Sequence, residues 1–274
     1  QAFGYSLYSG RYGNIYTTRQ FRQLVEEAFC ETPPDPLIWE KDGRFFDPLR
    51  PAIEPDGFAS RDELIAAREA VYAAIRKAVS EADIFVFTLG LTESWRNIEH
   101  DFEYALCPGT VTGAFDPQKH EFVNHKHASI FADVRAALRI MREQNRKLKM
   151  LVTVSPVPLT ATASGQHVLT ATTYSKSVLR GVAGQLCERF KQVDYFPSYE
   201  IITSPVYRGM FYAPNMRSVV PEGVAVVMSN FFDDQQAAFG AEKVAKVAKP
   251  VTRVAQARAD DVKCEEEMLD AFAR

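Results

Sequence analysis

Long apolar runs are missing from this 274-residue chain. None approaches the ~18 residues a helix needs to cross a bilayer, so no membrane span is expected. Charge of one sign is missing as well. The formal net charge is -3, so no overall basic field draws nucleic acid or anionic lipid, and neither is expected as a partner. Cysteine is sparse: Cys30, Cys107, Cys187 and Cys264 stand far apart. They suit neither a disulfide framework nor a C-x-x-C metal motif. Reduced thiols in a cytoplasmic protein are the expectation. Residues Gln1 to Gly10 lack the charged-then-apolar layout of a secretory leader. There is no G-x-S-x-G elbow, no P-loop and no G-x-G-x-x-G after a strand. No motif supports a nucleotide cofactor, and no cofactor is expected.

What is present has ordinary globular composition, with 46% hydrophobic and 24% charged residues. The most informative stretch runs from Ile84 to Trp95. A short apolar run, Ile84 to Leu89, is aromatic and β-branched and stops at Gly90, followed by Leu91, Thr92, Glu93, Ser94 and Trp95. It predicts a strand buried on both faces, of the kind found in parallel sheets. Ligands of open α/β sheets bind beyond the carboxyl ends of such strands. The Gly90–Glu93 turn is therefore a candidate floor for an active site; a tight turn and helix cap is the other reading.

Upstream, Gly- and Tyr-rich residues 1–14 lead to a helix capped by Thr17 or Thr18 and running to about Phe29. Gly13 and Asn14 lie just before it, where backbone N–H groups can hold an oxyanion, although a plain loop-to-helix junction has the same appearance. Residues 31–60 hold six prolines and cannot form a regular helix. Ser60 and Glu63 make a capping box for a helix to about Ala82. Downstream, His125 and His127 have the spacing of one strand face or of two metal ligands, but no third ligand accompanies them and no metal is expected.

A helix from about Ile130 to Arg146 ends in a basic cluster that suits its C-terminal dipole. A second strand, 149–154, ends at Ser155, and a helix from Tyr174 to Arg189 leads to a third, 193–196, ending at Ser198–Glu200. A last helix covers 221–232. The alternation predicts a parallel sheet with its strand ends side by side. From about Asp233 the chain turns Ala-, Lys-, Glu- and Gln-rich and reads as a helical extension or tail, giving domains 1–232 and 233–274. For chemistry, Gly13, Gly90 and Thr92 offer oxyanion donors. Glu93 can orient a base or a substrate hydroxyl, or be a solvated carboxylate. His167 can be a base or a surface residue, and Ser155 a nucleophile or a strand-end serine.

Five blocks in order carry a resemblance: Tyr12–Gly13–Asn14–Ile15–Tyr16–Thr17, Phe87 to Trp95, Val154–Ser155–Pro156–Val157–Pro158, Tyr174–Ser175–Lys176–Ser177–Val178–Leu179–Arg180, and Tyr195–Phe196–Pro197–Ser198–Tyr199–Glu200. Over roughly residues 8 to 232 the sequence resembles the GSCFA-domain family, bacterial proteins related in fold to the SGNH (GDSL-like) hydrolases. The resemblance implies a three-layer α-β-α sandwich around a mostly parallel, flavodoxin-like sheet. It implies a serine-type esterase or acyltransferase acting on a carbohydrate or surface polysaccharide; a non-catalytic carbohydrate-binding or scaffolding member is the alternative. Gly13 looks like the second-block oxyanion glycine, and Gly90–Glu93 like the third block, with Thr92 for Asn and Glu93 for Asp. Gly13, Gly90, Thr92, Glu93 and His167 are then the catalytic candidates, and Asn14, Trp95, Ser155, Ser198 and Glu200 the substrate-binding ones. Two departures stand out. The Gly-Ser-Cys-Phe-Ala motif with the nucleophile, and the first strand that carries it, would precede Gln1, so little esterase activity is expected of this chain alone. The Asp-x-x-His block aligns with Asn215–Met216–Arg217–Ser218, which has no histidine.

Overall fold

The computed structural model describes residues 9–29 and 37–240. They form an α/β structure with a parallel sheet and two antiparallel ones, in two compact units: 9–29, 37–154 and 162–195 in the first, 155–161 and 196–240 in the second.

In the first unit, α1 (Thr18–Phe29) leads to the hairpin β1 (Trp39–Lys41) and β2 (Arg44–Phe46). This hairpin lies in the proline-rich connection, which the sequence marked only as unable to form a regular helix. Helix α2 (Arg61–Glu81) starts at the predicted cap: Ser60 Oγ accepts from the Glu63 N–H at 3.1 Å. The Glu63 carboxylate accepts from the Ala59 N–H at 2.8 Å. Strand β3 (Ile84–Leu89) follows. Next come β4 (Glu93–Asn97), β5 (Phe102–Tyr104) and β6 (His120–Asn124), then α3 (His127–Gln144), β7 (Lys149–Val154), α4 (Val168–Arg189) and β8 (Val193–Tyr195).

The order β3-β7-β8 is parallel throughout, with Leu89 opposite Val154 and Val152 opposite Tyr195. Alternation along β3 puts Phe87 and Leu89 on the buried face, where Phe21 of α1 stacks on Phe87 at 4.1 Å between ring centroids. Burial of β3 on both faces, as the sequence predicted, is corrected here: Ile84 and Val86 are 56% and 60% exposed. An unbroken apolar run cannot reveal which face is covered, because successive side chains point to opposite sides.

The stretch after Gly90 also differs from a turn and cap. It enters a second sheet, β5-β4-β6, antiparallel throughout. Helix α4 starts six residues before the predicted Tyr174, capped by His167. Its buried residues, including Leu179, Val182, Ala183 and Leu186, pack against α3, β7 and β8.

The second unit contains α5 (Ser198–Thr203), a 3-10 turn at Pro205–Tyr207 and α6 (Pro221–Phe239). Helix α6 passes 232 without a break. The rest of the expected C-terminal extension, from 241, lies outside the described residues.

Candidate functional site

The first unit brings three of the five sequence blocks to the carboxyl end of β3. Gly90 has no room for a side chain: a Cβ there would lie 2.6 Å from the Tyr16 carbonyl oxygen. That carbonyl accepts from the Leu91 N–H at 3.0 Å. From α4, Ser175 Oγ accepts from the Thr92 N–H at 3.1 Å, and Lys176 Nζ donates to the Gly90 carbonyl at 2.6 Å. Ser175 and Lys176 are buried. A lysine there keeps a short, charge-assisted bond to a backbone oxygen away from water. The Gly90–Thr92 turn is thus clamped from two sides. Ser175 and Lys176 were visible in the sequence only as the first turn of a predicted helix.

The clamp changes the meaning of Thr92. Its N–H is engaged by Ser175, its hydroxyl donates to Asn124 Oδ1 at 2.9 Å, and it has no exposed surface. Thr92 joins β3 to β4 and β6; in this arrangement it has no donor left for an oxyanion. Gly13 has φ +72°, which favours glycine, and a Cβ on it would lie 2.8 Å from Arg50 Cβ. Beneath the loop, buried Arg50 pairs with Asp47 at 2.9 Å and donates to the Arg11 carbonyl at 2.8 Å. Asn14 Nδ2 donates to the Tyr16 hydroxyl at 3.2 Å.

Beyond the clamp, strand β4 divides its side chains between two faces. Glu93 and Trp95 share one. The Trp95 ring meets Phe115 and Phe122 edge-on, at 5.2 and 5.7 Å between centroids. Glu93 Oε1 accepts from the Thr162 hydroxyl at 2.8 Å, and that hydroxyl lies 2.7 Å from Ser164 Oγ. Burial pushes the Glu93 carboxyl above the usual carboxylate range, with the Thr162 hydrogen bond working in the opposite direction. Both Glu93 and Trp95 are half-buried. A carboxyl held partly from water beside an indole is a polar and apolar pair fit to meet a sugar ring or an ester.

The other face carries a cluster that sequence reasoning missed. Glu103 of β5 is buried; its carboxylate accepts from the Thr17 hydroxyl and lies 2.8 Å from His125 Nε2. Ser94 Oγ lies 3.5 Å from the same nitrogen. A carboxylate only accepts, so Nε2 carries the proton toward Glu103. It cannot then take one from Ser94, and the trio lacks the arrangement of a serine–histidine–carboxylate relay, in which opposite ring nitrogens serve the two partners. The sequence singled out His125 but not its partner, a lone carboxylate between Phe102 and Tyr104. His127, two residues beyond His125, opens α3. A Cβ on Gly181 would lie 3.7 Å from its ring. Among the described residues, no three His, Cys, Asp or Glu side chains are grouped to hold a metal ion.

The remaining candidates lie elsewhere. His167 is exposed, and its Nδ1 accepts from the Leu169 N–H at 3.3 Å as the cap of α4. Ser155, Ser198 and Glu200 belong to the second unit. Ser155 Oγ accepts from the Val157 N–H at 3.2 Å; Ser198 and Glu200 lie in the first turn of α5. In the same unit Asn215 Oδ1 accepts from the N–H groups of Arg217 and Ser218, each at 2.9 Å, and its Nδ2 donates to Ser218 Oγ at 2.9 Å.

Comparison with known proteins returns one family. The model of the GSCFA family matches residues 1–231, and the chain belongs to that family. No curated protein and no solved structure matches.

Proposed function

We propose, with membership of the GSCFA family as the premise, that this chain is an SGNH-like protein that hydrolyses or transfers an acyl ester on a carbohydrate or surface polysaccharide. Its architecture in this reading is a three-layer α-β-α sandwich. The observation that carries the reading is the pair Glu93 and Trp95. They share one face of β4, directly after the clamped turn at the carboxyl end of a parallel strand. Such strand ends are where open α/β sheets place ligands. In this reading the Trp95 ring takes the apolar face of a sugar. Glu93, with its raised pKa, holds or exchanges a proton with a sugar hydroxyl.

The second reading, a non-catalytic carbohydrate-binding member, is favoured by Asn215 and Ser218. They stand where the SGNH pattern has its Asp and His, and they hydrogen-bond to each other. The described residues of the second unit contain no histidine at all.

Both readings are tested by measuring binding of neutral oligosaccharides by calorimetry, together with acetate release from acetylated sugars. Trp95→Ala is expected to weaken sugar binding about tenfold, and Glu93→Gln to lower any acetate release at least as much. Sugar binding without turnover supports the second reading. Wild-type protein that neither binds nor deacetylates sugars would overturn both.

A further inference from the structure

Helix α3 carries Arg135, Arg139, Arg142 and Arg146 at or just beyond its C-terminal half. The spacing of four and three residues sets Arg135, Arg139 and Arg142 on one helical stripe, and Arg146 follows just past the helix end. All four line a single open cavity of about 630 Å³ whose walls include Leu138 and Phe190. Favourable interaction with the helix dipole is confined to the last turn, so it accounts for Arg142 and Arg146 and leaves Arg135 and Arg139 unexplained. Neighbouring like charges at this spacing repel one another. Glu143 is the one acidic residue in the cavity wall, and it lies 3.9 Å from Arg139. Arg142 donates to the Leu148 carbonyl at 2.5 Å. Arg135 and Arg146 are exposed and have no hydrogen-bond or ion-pair partner among the described residues.

We propose that this stripe is a binding surface for an acidic polysaccharide, one that carries a carboxylate or sulfate on successive sugar rings. The proposal rests on the carbohydrate reading above and names the class of chain it acts on.

Three features select this ligand. Arg135, Arg139 and Arg142 are spread along about 10 Å of helix, at 1.5 Å per residue, and Arg146 follows beyond its end. A repeating anion matches a row; a single phosphate matches a cluster. Each guanidinium presents a planar fork suited to a carboxylate or sulfate oxygen pair. In the same cavity wall Phe190 offers a partly exposed apolar ring against which a sugar ring can lie, while Leu138 is buried beneath. Phe190 is half-buried and stacks on Phe131 at 6.1 Å. One partly covered ring is no platform for a run of bases, which single-stranded nucleic acid requires.

The cavity lies at the amino ends of the parallel strands: Arg146 precedes β7, and Phe190 and Gln192 precede β8. Glu93 and Trp95 follow the carboxyl end of β3. The stripe is therefore a separate holding surface. Holding a polymer at one place raises its effective concentration at another.

The test is calorimetric titration of the full chain with galacturonate monomer, galacturonate tetramer, neutral dextran and a thymidine oligonucleotide, at low and moderate salt. The tetramer is expected to bind at least about tenfold more tightly than the monomer and to weaken with salt, since its contacts are ionic. Dextran should not bind at this surface. The double variant Arg139→Glu, Arg146→Glu should weaken the tetramer at least about tenfold, with an unchanged melting temperature, because both side chains are exposed. Its binding of short neutral sugars, and any deacetylation of them, should be unchanged; that readout separates this proposal from the one it rests on. Tetramer binding no tighter than monomer binding would overturn it. So would equal binding by the double variant, or an oligonucleotide that binds as tightly as the tetramer.

Discussion

The two larger sheets of the first unit are held by different forces. The parallel sheet β3-β7-β8 rests on apolar burial: Leu89, Met150, Val152 and Val154 are each at most 1% exposed. The antiparallel sheet β5-β4-β6 adds to its aromatic contacts a set of buried polar bonds. Gln23 Oε1 accepts from the Glu103 N–H at 3.0 Å, Asn97 Nδ2 donates to the Tyr104 hydroxyl at 2.9 Å, and His120 Nδ1 accepts from the Asp116 N–H at 3.0 Å. Burial by area is tolerant of detail and insensitive to pH. A buried polar network depends on every partner, and the loss of one leaves the others desolvated. The parallel sheet is thus the apolar scaffold of this unit, and the antiparallel sheet carries groups whose protonation is shifted by burial, Glu93 and His120 among them.

The largest expected effect tests the apolar side. Leu89→Ala should cost about 3 kcal/mol by urea denaturation, by the same amount at pH 5 and pH 8. A cost that changes with pH would break the contrast. Glu103→Ala comes next, at about 2 kcal/mol, since it leaves the Thr17 hydroxyl and the His125 N–H without their acceptor. Glu103→Gln, which keeps one acceptor, should recover part of that. A loss below about 0.5 kcal/mol for the alanine variant would show that the network is not holding this sheet. Ser175→Ala should cost about 1 kcal/mol by stranding the buried Thr92 N–H. Because that bond sits where β3 passes into β4, hydrogen exchange should quicken at Leu91 and Thr92 before it does at β7.

The smallest effect sharpens the pH contrast. Burial pushes the His120 ring below the ordinary histidine value, opposed by Asp116 and assisted by Lys119. The folded ring therefore binds fewer protons than the unfolded one. Its contribution is present above the ordinary value of about 6.5 and is lost as pH falls through the lower folded value. A proton added at Nδ1 would also face the Asp116 N–H. Amide protection in β6 should decline between pH 7 and pH 5 while that of β7 holds. Glu93 works in the opposite sense. Its raised carboxyl contributes at low pH and loses that contribution as pH rises through the folded value. Equal decline in both sheets would refute the His120 assignment.

Legibility in the sequence follows the same division. The strands of the parallel sheet could be read because each is a short apolar run bounded by turn chemistry, with helical periodicity between them. Helix α2 could be read from Ser60 and Glu63. The antiparallel strands could not: Glu93–Ser94–Trp95–Arg96–Asn97 mixes polar and aromatic residues without a simple alternation, and its pairing with His120–Asn124 spans a loop of turn signals. Gly90 stood out because a glycine ends the β3 run. Its reason, the Tyr16 carbonyl against its Cα, lies more than seventy residues away.

By itself the sequence determined the family, the parallel strands and the helices between them, because each is written in local periodicity and in short blocks of fixed order. Only the tertiary structure decided which face of β3 is covered, that Thr92 is engaged on every donor, and that Glu103 meets His125 across 22 residues. It also placed the α3 arginines beside Phe190. The physical reason is that local patterns fix backbone conformation, whereas a hydrogen bond or an exposed face depends on which distant segment arrives to meet it.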